Sequence, residues 1–322
     1  MKILVTGGAG FLGSNLCERL VQNHRDTIYC LDNLLTGSLD NISGLLSRPN
    51  FKFIRHDIIE PIDLPVDRIY NAACSASPLA YQQDPVHTLK TNILGMLNLL
   101  ELARKYHAVI LQFSTSEVYG DAIQHPQTEE YWGNVNPDGI RSCYDEGKRA
   151  AETLCFDYNR MYGTQVKVVR IFNTYGPKMD AGDGRVISNF VNQALRGEPV
   201  TIYGDGTQTR SLCYVDDMIE GLCRMMDSGS EVTGPVNLGN PEEISMIDLA
   251  KKVLELTGSA SRLVYHALPE DDPKQRRPDI SRAGKLLGWK PETSLEKGIE
   301  KVILYYRNLI TLGSVCEKAE FL

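Results

Sequence analysis

Very little in these 322 residues points to a membrane, a metal or a disulfide-built fold. No stretch reaches the roughly 18 uncharged apolar residues that a membrane helix needs. Met1-Lys2 runs into only Ile3, Leu4 and Val5 before glycine-rich sequence, so no leader peptide is expected. The eight cysteines are scattered, with no C-x-x-C pair. That pattern predicts reduced thiols in a cytoplasmic protein rather than a disulfide framework. The six histidines show no H-E-x-x-H spacing, so no metal site is expected. Positive charge is short too: 34 Lys plus Arg against 41 Asp plus Glu leave a net charge of −7. The chain therefore lacks the electrostatic footprint of a general nucleic-acid binder. Internal repeats and low-complexity segments are absent. What remains is an ordinary packed chain, 42% hydrophobic and 23% charged, which excludes wholesale disorder.

The first half alternates two patterns. Short β-branched runs at 2–6, 27–32, 51–57, 68–73, 108–116 and 166–173 read as strands. They are almost continuously apolar, as strands are when helices cover both faces of a parallel sheet. Between them, 11–23 and 84–106 carry apolar residues at helical spacing, and 144–162 reads as a helix. Strand–helix alternation predicts right-handed βαβ units, hence an α/β, Rossmann-type doubly wound parallel sheet. After about Gly176, Gly, Asp and Pro become denser, and 248–256 and 295–309 read as amphipathic helices. At that length two domains are expected: a dinucleotide-binding domain over 1–175 and a smaller C-terminal α/β substrate lobe over 176–322. Segments near 210–240 are expected to return to the first.

Three motifs carry chemistry. GGAGFLG sets Gly7, Gly10 and Gly13 between the first strand and the first helix. Glycines let the backbone turn tightly and approach a pyrophosphate, while the helix start offers free N–H groups. Asp32 ends the second strand, where a carboxylate accepts the ribose hydroxyls of NAD and repels the 2′-phosphate of NADP. Tyr144 and Lys148 stand four apart on a helical run and so share a face. A nearby ammonium is expected to lower the phenol's pKa and prepare Tyr144 to take a hydroxyl proton. STSEVYG brings Thr115, Ser116 and Glu117 to the end of the fifth strand, the place where ligands bind in open α/β sheets.

Together these residues resemble the extended short-chain dehydrogenase/reductase family, in particular its nucleotide-sugar members. The resemblance also rests on TLKTN (88–92), HPQTEEYWGNVNP (125–137), RIFNTYGP (170–177), GEPVTIYGDGTQTR (197–210) and RRPDI (276–280), and so spans nearly the whole chain. It is densest with the UDP-glucuronate decarboxylase group. The dehydratases carry Asp-Glu where this chain has Ser116-Glu117, and serine is a poor general acid.

The resemblance implies NAD as cofactor and a UDP-sugar as substrate. It implies decarboxylation of UDP-glucuronate to UDP-xylose by C4 oxidation, loss of CO₂ and re-reduction. Alternatives with the same fold are a 4-epimerase, a 4-keto reductase or a 4,6-dehydratase acting on another UDP- or dTDP-sugar. A scaffold that merely senses NAD is the alternative of a different class, against which an intact Tyr144, Lys148 and Ser-Glu pair argue.

By the resemblance, Tyr144 is the acid/base and Lys148 its partner. Thr115 and Ser116 orient the 4-hydroxyl, and Glu117 assists near C5. Phe11, Leu12, Asp32, Asn33, Asp57, Ile58, Thr91, Thr174 and Arg185 match cofactor positions, with the three glycines. Lys90, Asn173, Arg210 and Arg276 match nucleotide-sugar contacts. The family also implies a homodimer through the helices at 84–106 and 144–162. Two positions depart from its pattern: Cys74-Ser75 stands where Ser-Pro is usual, and Leu79 where a second proline is common. Some members carry an upstream membrane anchor; none is expected here.

Overall fold

Ile3, Leu4 and Val5 are all buried, yet successive side chains of a strand point to opposite faces. Both faces of the first strand are therefore covered, which is the condition that produces a buried parallel sheet. The structure is a computed structural model that describes residues 1–267 and 276–311. In chain order the first half runs β1 (Lys2–Thr6), α1 (Phe11–Leu20), β2 (Thr27–Asp32), β3 (Phe51–Arg55), β4 (Arg68–Asn71), α2 (Pro78–Tyr81), α3 (Pro85–Lys90), α4 (Met96–Tyr106), β5 (Val109–Thr115), α5 (Ser142–Tyr162) and β6 (Val166–Ile171). There follow β7 (Thr174–Tyr175), α6 (Val186–Arg196), β8 (Val200–Tyr203), β9 (Thr209–Ser211), β10 (Cys213–Tyr214), α7 (Val215–Asp227), β11 (Val236–Leu238), β12 (Glu243–Ser245), α8 (Met246–Thr257), β13 (Leu263–His266), α9 (Ser281–Leu287) and α10 (Leu295–Thr311).

Seven strands form one sheet in the order β11-β6-β5-β4-β1-β2-β3, and every pair is parallel. The chain starts in the middle, winds outward to β3, then returns to β4 and winds the other way. The reversal between β1 and β4 opens a crevice at their carboxyl ends, where such sheets bind ligands. Leu4, Ile69, Leu99, Leu100, Ile110 and Val168 pack on one face. The cluster on the other face includes Ile3, Val5, Leu16 and Met218 and continues without a break to Trp289 and Tyr306. The segment after Gly176 thus shares a core with the sheet. Val236–Leu238 extends that sheet beside β6. The remaining strands pair off in three small two-stranded sheets.

The strands lie where the sequence places them, one or two residues shorter at some ends. The helix read over 84–106 runs unbroken from Pro85 to Tyr106, but not as one regular α-helix. It is α3, a π-helical turn at Thr91–Gly95, and α4. The reason is local. Thr91 Oγ1 donates to the His87 carbonyl at 2.9 Å, and Asn92 Nδ2 donates to the Thr88 carbonyl at 3.0 Å. Side chains that bond back to the preceding turn compete with the regular ladder and widen it. The helices α6 and α7 fall in stretches that the periodicity left unassigned.

Candidate active site

The first turn is built by steric need. Gly7 has φ +65°, and a Cβ there would sit 2.7 Å from the Ala72 carbonyl oxygen on the loop after β4. A Cβ on Gly13 would overlap the Gly7 carbonyl oxygen. Both positions let the turn fold against itself and against the crevice wall. Gly10 differs: a Cβ there would meet only the Gly7 oxygen, at 3.2 Å, so open space lies over it. Gly10 caps α1 without a side-chain hydrogen bond, which leaves the N–H groups around Phe11 and Leu12 to an external acceptor. That open, donor-rich cradle fits a pyrophosphate.

Asp32 closes the same corner. Its Oδ2 accepts the Ala9 N–H at 2.9 Å and its Oδ1 the Leu34 N–H at 2.8 Å. Burial nevertheless pushes its pKa above the usual carboxylate value. The oxygens have lone pairs left for hydroxyl donors. Next to it, Asp57 accepts from Asn33 Nδ2 at 2.8 Å and lies 2.9 Å from His87 Nε2. Burial works against the Asp57 charge, but the Ile59 N–H, Asn33 and His87 outweigh it and hold its pKa low. Thr91, one turn beyond His87, is buried against it. The Ile58 side chain packs in the core, seated where a Cβ on Gly95 would lie. Arg185 pairs with Asp183 and lies over the Phe11 ring, 5.8 Å from its centre. Thr174 is buried and donates to the Phe172 carbonyl at 2.8 Å.

Tyr144 lies in the first turn of α5 and is only 6% exposed. Burial dominates its electrostatics and raises the phenol's pKa; Cys74, Glu117 and Asp145 add to the rise, and a hydrogen bond with Thr115 opposes it. The expected lowering by Lys148 is therefore corrected. The Lys148 Nζ donates to the Phe113 carbonyl at 2.9 Å and lies 5.8 Å from the centre of the Tyr144 ring. Burial lowers the lysine's own pKa. In this state desolvation of the phenol outweighs the ammonium's influence. Behind the pair, Glu152 of α5 accepts from Ser114 at 2.5 Å and from both arms of Arg170, at 3.0 and 2.7 Å. These bonds tie α5 to β5 and β6, so the phenol's position is fixed by the sheet.

The strand-end residues form the other half. Thr115 caps a short turn over Ser116–Tyr119, accepting the Glu117 N–H at 3.2 Å, and Ser116 is buried. Glu117 is held between two guanidiniums: Arg141 Nη2 at 2.8 Å and Arg276 Nη2 at 3.1 Å. Burial opposes its charge, yet Arg276 and Arg141 together keep its pKa below the usual value. Arg276, 2% exposed, also donates to the Gly120 carbonyl at 2.6 Å, and its Nε is buried without a partner. It is buried rather than a solvated surface charge. Gln127 fixes its segment by bonds to the Arg277 N–H and carbonyl and to the Asp279 N–H.

Asn173 hydrogen-bonds Cys213 through its carbonyl, and Arg210 lies on β9 with Nη1 on the Thr209 carbonyl. Lys90 is exposed at the end of α3. The departing loop is tied across the crevice: Ser77 Oγ donates to the Asp183 carbonyl at 2.8 Å, and Leu79 packs over Gly184. Cys74 accepts from Asn92 Nδ2 at 3.2 Å and stands near Tyr144.

Four residues of the site escaped the sequence reading. Tyr81 stacks on Tyr144, Arg141 grips Glu117, His87 meets Asp57, and Asp145 is buried beside Tyr144. Only Arg141 left a signal, three residues before Tyr144 and so on its helical face.

Comparison with known proteins agrees with this geometry. Residues 3–239 match the family described as the NAD dependent epimerase/dehydratase family. UDP-glucuronic acid decarboxylase 6 of Arabidopsis thaliana is 55% identical over 93% of this chain and 87% of its own length. UDP-glucuronic acid decarboxylase 1 of Xenopus tropicalis is 50% identical over 95% of this chain and 72% of its own. The crystal structure of UDP-glucuronic acid 4-epimerase from Bacillus cereus, in complex with UDP-glucuronic acid and NAD, superposes with a TM-score of 0.88. It is 30% identical and covers 96% of this chain and 100% of its own. An uncapped glycine turn, a Tyr–Lys pair on α5 and a parallel sheet are thus joined by similarity over almost the full length: the chain belongs to the NAD dependent epimerase/dehydratase family.

Proposed function

We propose that this chain binds NAD and decarboxylates UDP-glucuronate to UDP-xylose. The observation that carries the proposal is Glu117, ionised between Arg141 and Arg276 at the strand end beside Tyr144. The names of the relatives at 50 and 55% identity support it. NAD, when bound, accepts hydride from C4 of the sugar and later returns it. Gly7, Gly10, Gly13, Phe11 and Leu12 hold the pyrophosphate. Asp32 takes the adenosine ribose, and Asn33 and Asp57 flank the adenine. Tyr144, joined to Thr115, takes the proton of the 4-hydroxyl, and Ser116 orients that hydroxyl. The resulting 4-keto sugar is a β-keto acid at C5, which loses CO₂ because the ketone accepts the electrons. Arg276 and Glu117 govern the carboxylate and the protonation of C5. Arg suits this role because its planar fork meets a carboxylate with two donors. A buried serine at 116, where a dehydratase needs an acid, works against loss of a 6-hydroxyl.

In the same proposal residues 1–175 hold the cofactor, 176–322 close over the nucleotide sugar, and Lys90, Asn173 and Arg210 contact it. A homodimer is supported by exposed apolar side chains at Val86, Leu89 and Leu94 and at Met161 of α5. Light scattering at one chain's mass would refute it. A cytoplasmic location is supported by the seven described cysteines, all free. The direct test incubates the purified protein with UDP-glucuronate and NAD. CO₂ and UDP-xylose are the expected products. UDP-galacturonate instead would establish the 4-epimerase, an alternative favoured by the fold shared with the Bacillus cereus enzyme.

A further inference from the structure

Asp145 follows Tyr144 on α5 and is only 7% exposed, with a buried Oδ1 that has no hydrogen-bond partner. A buried carboxylate oxygen without a donor is costly, and a proton removes most of that cost. The charged groups acting on Asp145 come from several segments. Glu117 reaches it from the turn after β5, Arg141 from the start of α5, Arg276 from the stretch before α9, and Glu146 from α5 itself. Tyr81 on α2 and Cys143 and Tyr144 on α5 also feel its charge. Both guanidiniums direct hydrogen bonds to Glu117. Burial first, then Glu117, pushes the Asp145 carboxyl up to about 7, against the pull of Arg141 and Arg276.

The charge balance of this corner is simple. Glu146 is offset by its own ion pair with Arg149 at 3.5 Å, which leaves Arg141 and Arg276 with two positive charges against two negative ones on Glu117 and Asp145 when both are ionised. The corner is then neutral. With a proton on Asp145 it is one unit positive. We infer that Asp145 is a specificity-determining residue, protonated whenever a carboxylated sugar occupies the site, so that the sugar's carboxylate meets a corner of opposite charge. This rests on the proposal that UDP-glucuronate is the substrate. A neutral sugar gains nothing from the proton, so the same group separates carboxylated from uncarboxylated UDP-sugars.

The consequence is proton-linked binding. Affinity for UDP-glucuronate falls as pH rises through about 7, with a slope approaching about tenfold per pH unit. The test is calorimetric titration of NAD-loaded Tyr144→Phe, whose turnover is expected to be about 10²–10⁴-fold slower, between about pH 6.5 and 8.5. Buffers of two ionisation enthalpies count the protons taken up. With UDP-glucuronate the slope and an uptake approaching one proton are expected; with UDP-xylose both vanish. Adding Asp145→Asn abolishes slope and uptake for UDP-glucuronate. An unchanged slope in that double variant, or the same slope with UDP-xylose, overturns the inference. If Asp145→Asn does not fold, the proton count of Tyr144→Phe decides, and equal uptake with the two sugars overturns it. No binding of UDP-glucuronate at any pH would refute the proposed substrate instead.

Discussion

The ring of Tyr81 lies flat against the ring of Tyr144, centroids 5.0 Å apart and planes within 4° of parallel. The stack joins α2 to the first turn of α5 and fixes the plane of the phenol. Aromatic pairs contribute about 0.5–1.5 kcal/mol beyond their burial. Tyr81→Phe keeps the stack, whereas Tyr81→Leu loses it. The leucine variant is expected to lower kcat by up to about tenfold relative to the phenylalanine variant. Steady-state kinetics on the two variants check this, and equal kcat values would show that the stack does not position Tyr144.

Tyr144→Phe removes the proposed proton acceptor and little volume. Loss of a positioned acid/base costs about 10²–10⁴-fold in rate. Activity should fall by that amount, while NAD binding, followed by fluorescence titration, is retained. Retained activity would move the acid/base role elsewhere.

Glu117 and Arg276 meet at 3.1 Å in a buried setting. Breaking a buried pair completely costs about 3–5 kcal/mol. Arg276→Ala leaves Glu117 its bond to Arg141 at 2.8 Å, so it should lower the urea midpoint by only part of that amount while abolishing turnover. A substitution at an exposed pair such as Arg104–Glu101 should change stability by less than about 1 kcal/mol.

Asp145 supplies a pH signature of stability. Its folded pKa, about 7, lies above the model-peptide value of 3.8, so between these limits the folded state binds more protons than the unfolded one. Stability contributed by this group is complete below the lower value and declines as pH rises to the upper one, by at most about 1.4 kcal/mol per unit. Asp145→Asn, which cannot ionise, should gain stability relative to the wild type as pH rises from about 4 to 7 and keep a constant difference above that. A difference that does not vary with pH would exclude a raised pKa.

Gly13→Ala places a methyl group on the Gly7 carbonyl, with backbone on both sides and nowhere to move. Overpacking of this kind costs about 1–3 kcal/mol. NAD affinity should fall along with melting temperature, because the displaced turn is also the proposed pyrophosphate cradle. Gly10→Ala meets only the Gly7 carbonyl oxygen, at 3.2 Å, so it should cost less stability than Gly13→Ala while also lowering affinity.

Much of this was legible along the chain. Strand runs, the glycine spacing before α1, and Tyr144 with Lys148 one helical turn apart depend on neighbours within a few residues, where backbone geometry is periodic and side-chain type decides it. They fixed the α/β class and the family. The tertiary fold decided everything that depends on desolvation or on distant partners. Arg276 meets Glu117 across 159 positions, and nothing in RRPD marks which arginine is buried. Lys148 turned to the Phe113 carbonyl because burial left that acceptor within reach. Asp145 looks like any helix-start acid until the tertiary fold buries it and strips its water. A sequence records which groups can ionise; only packing sets the dielectric around them and the charges they face.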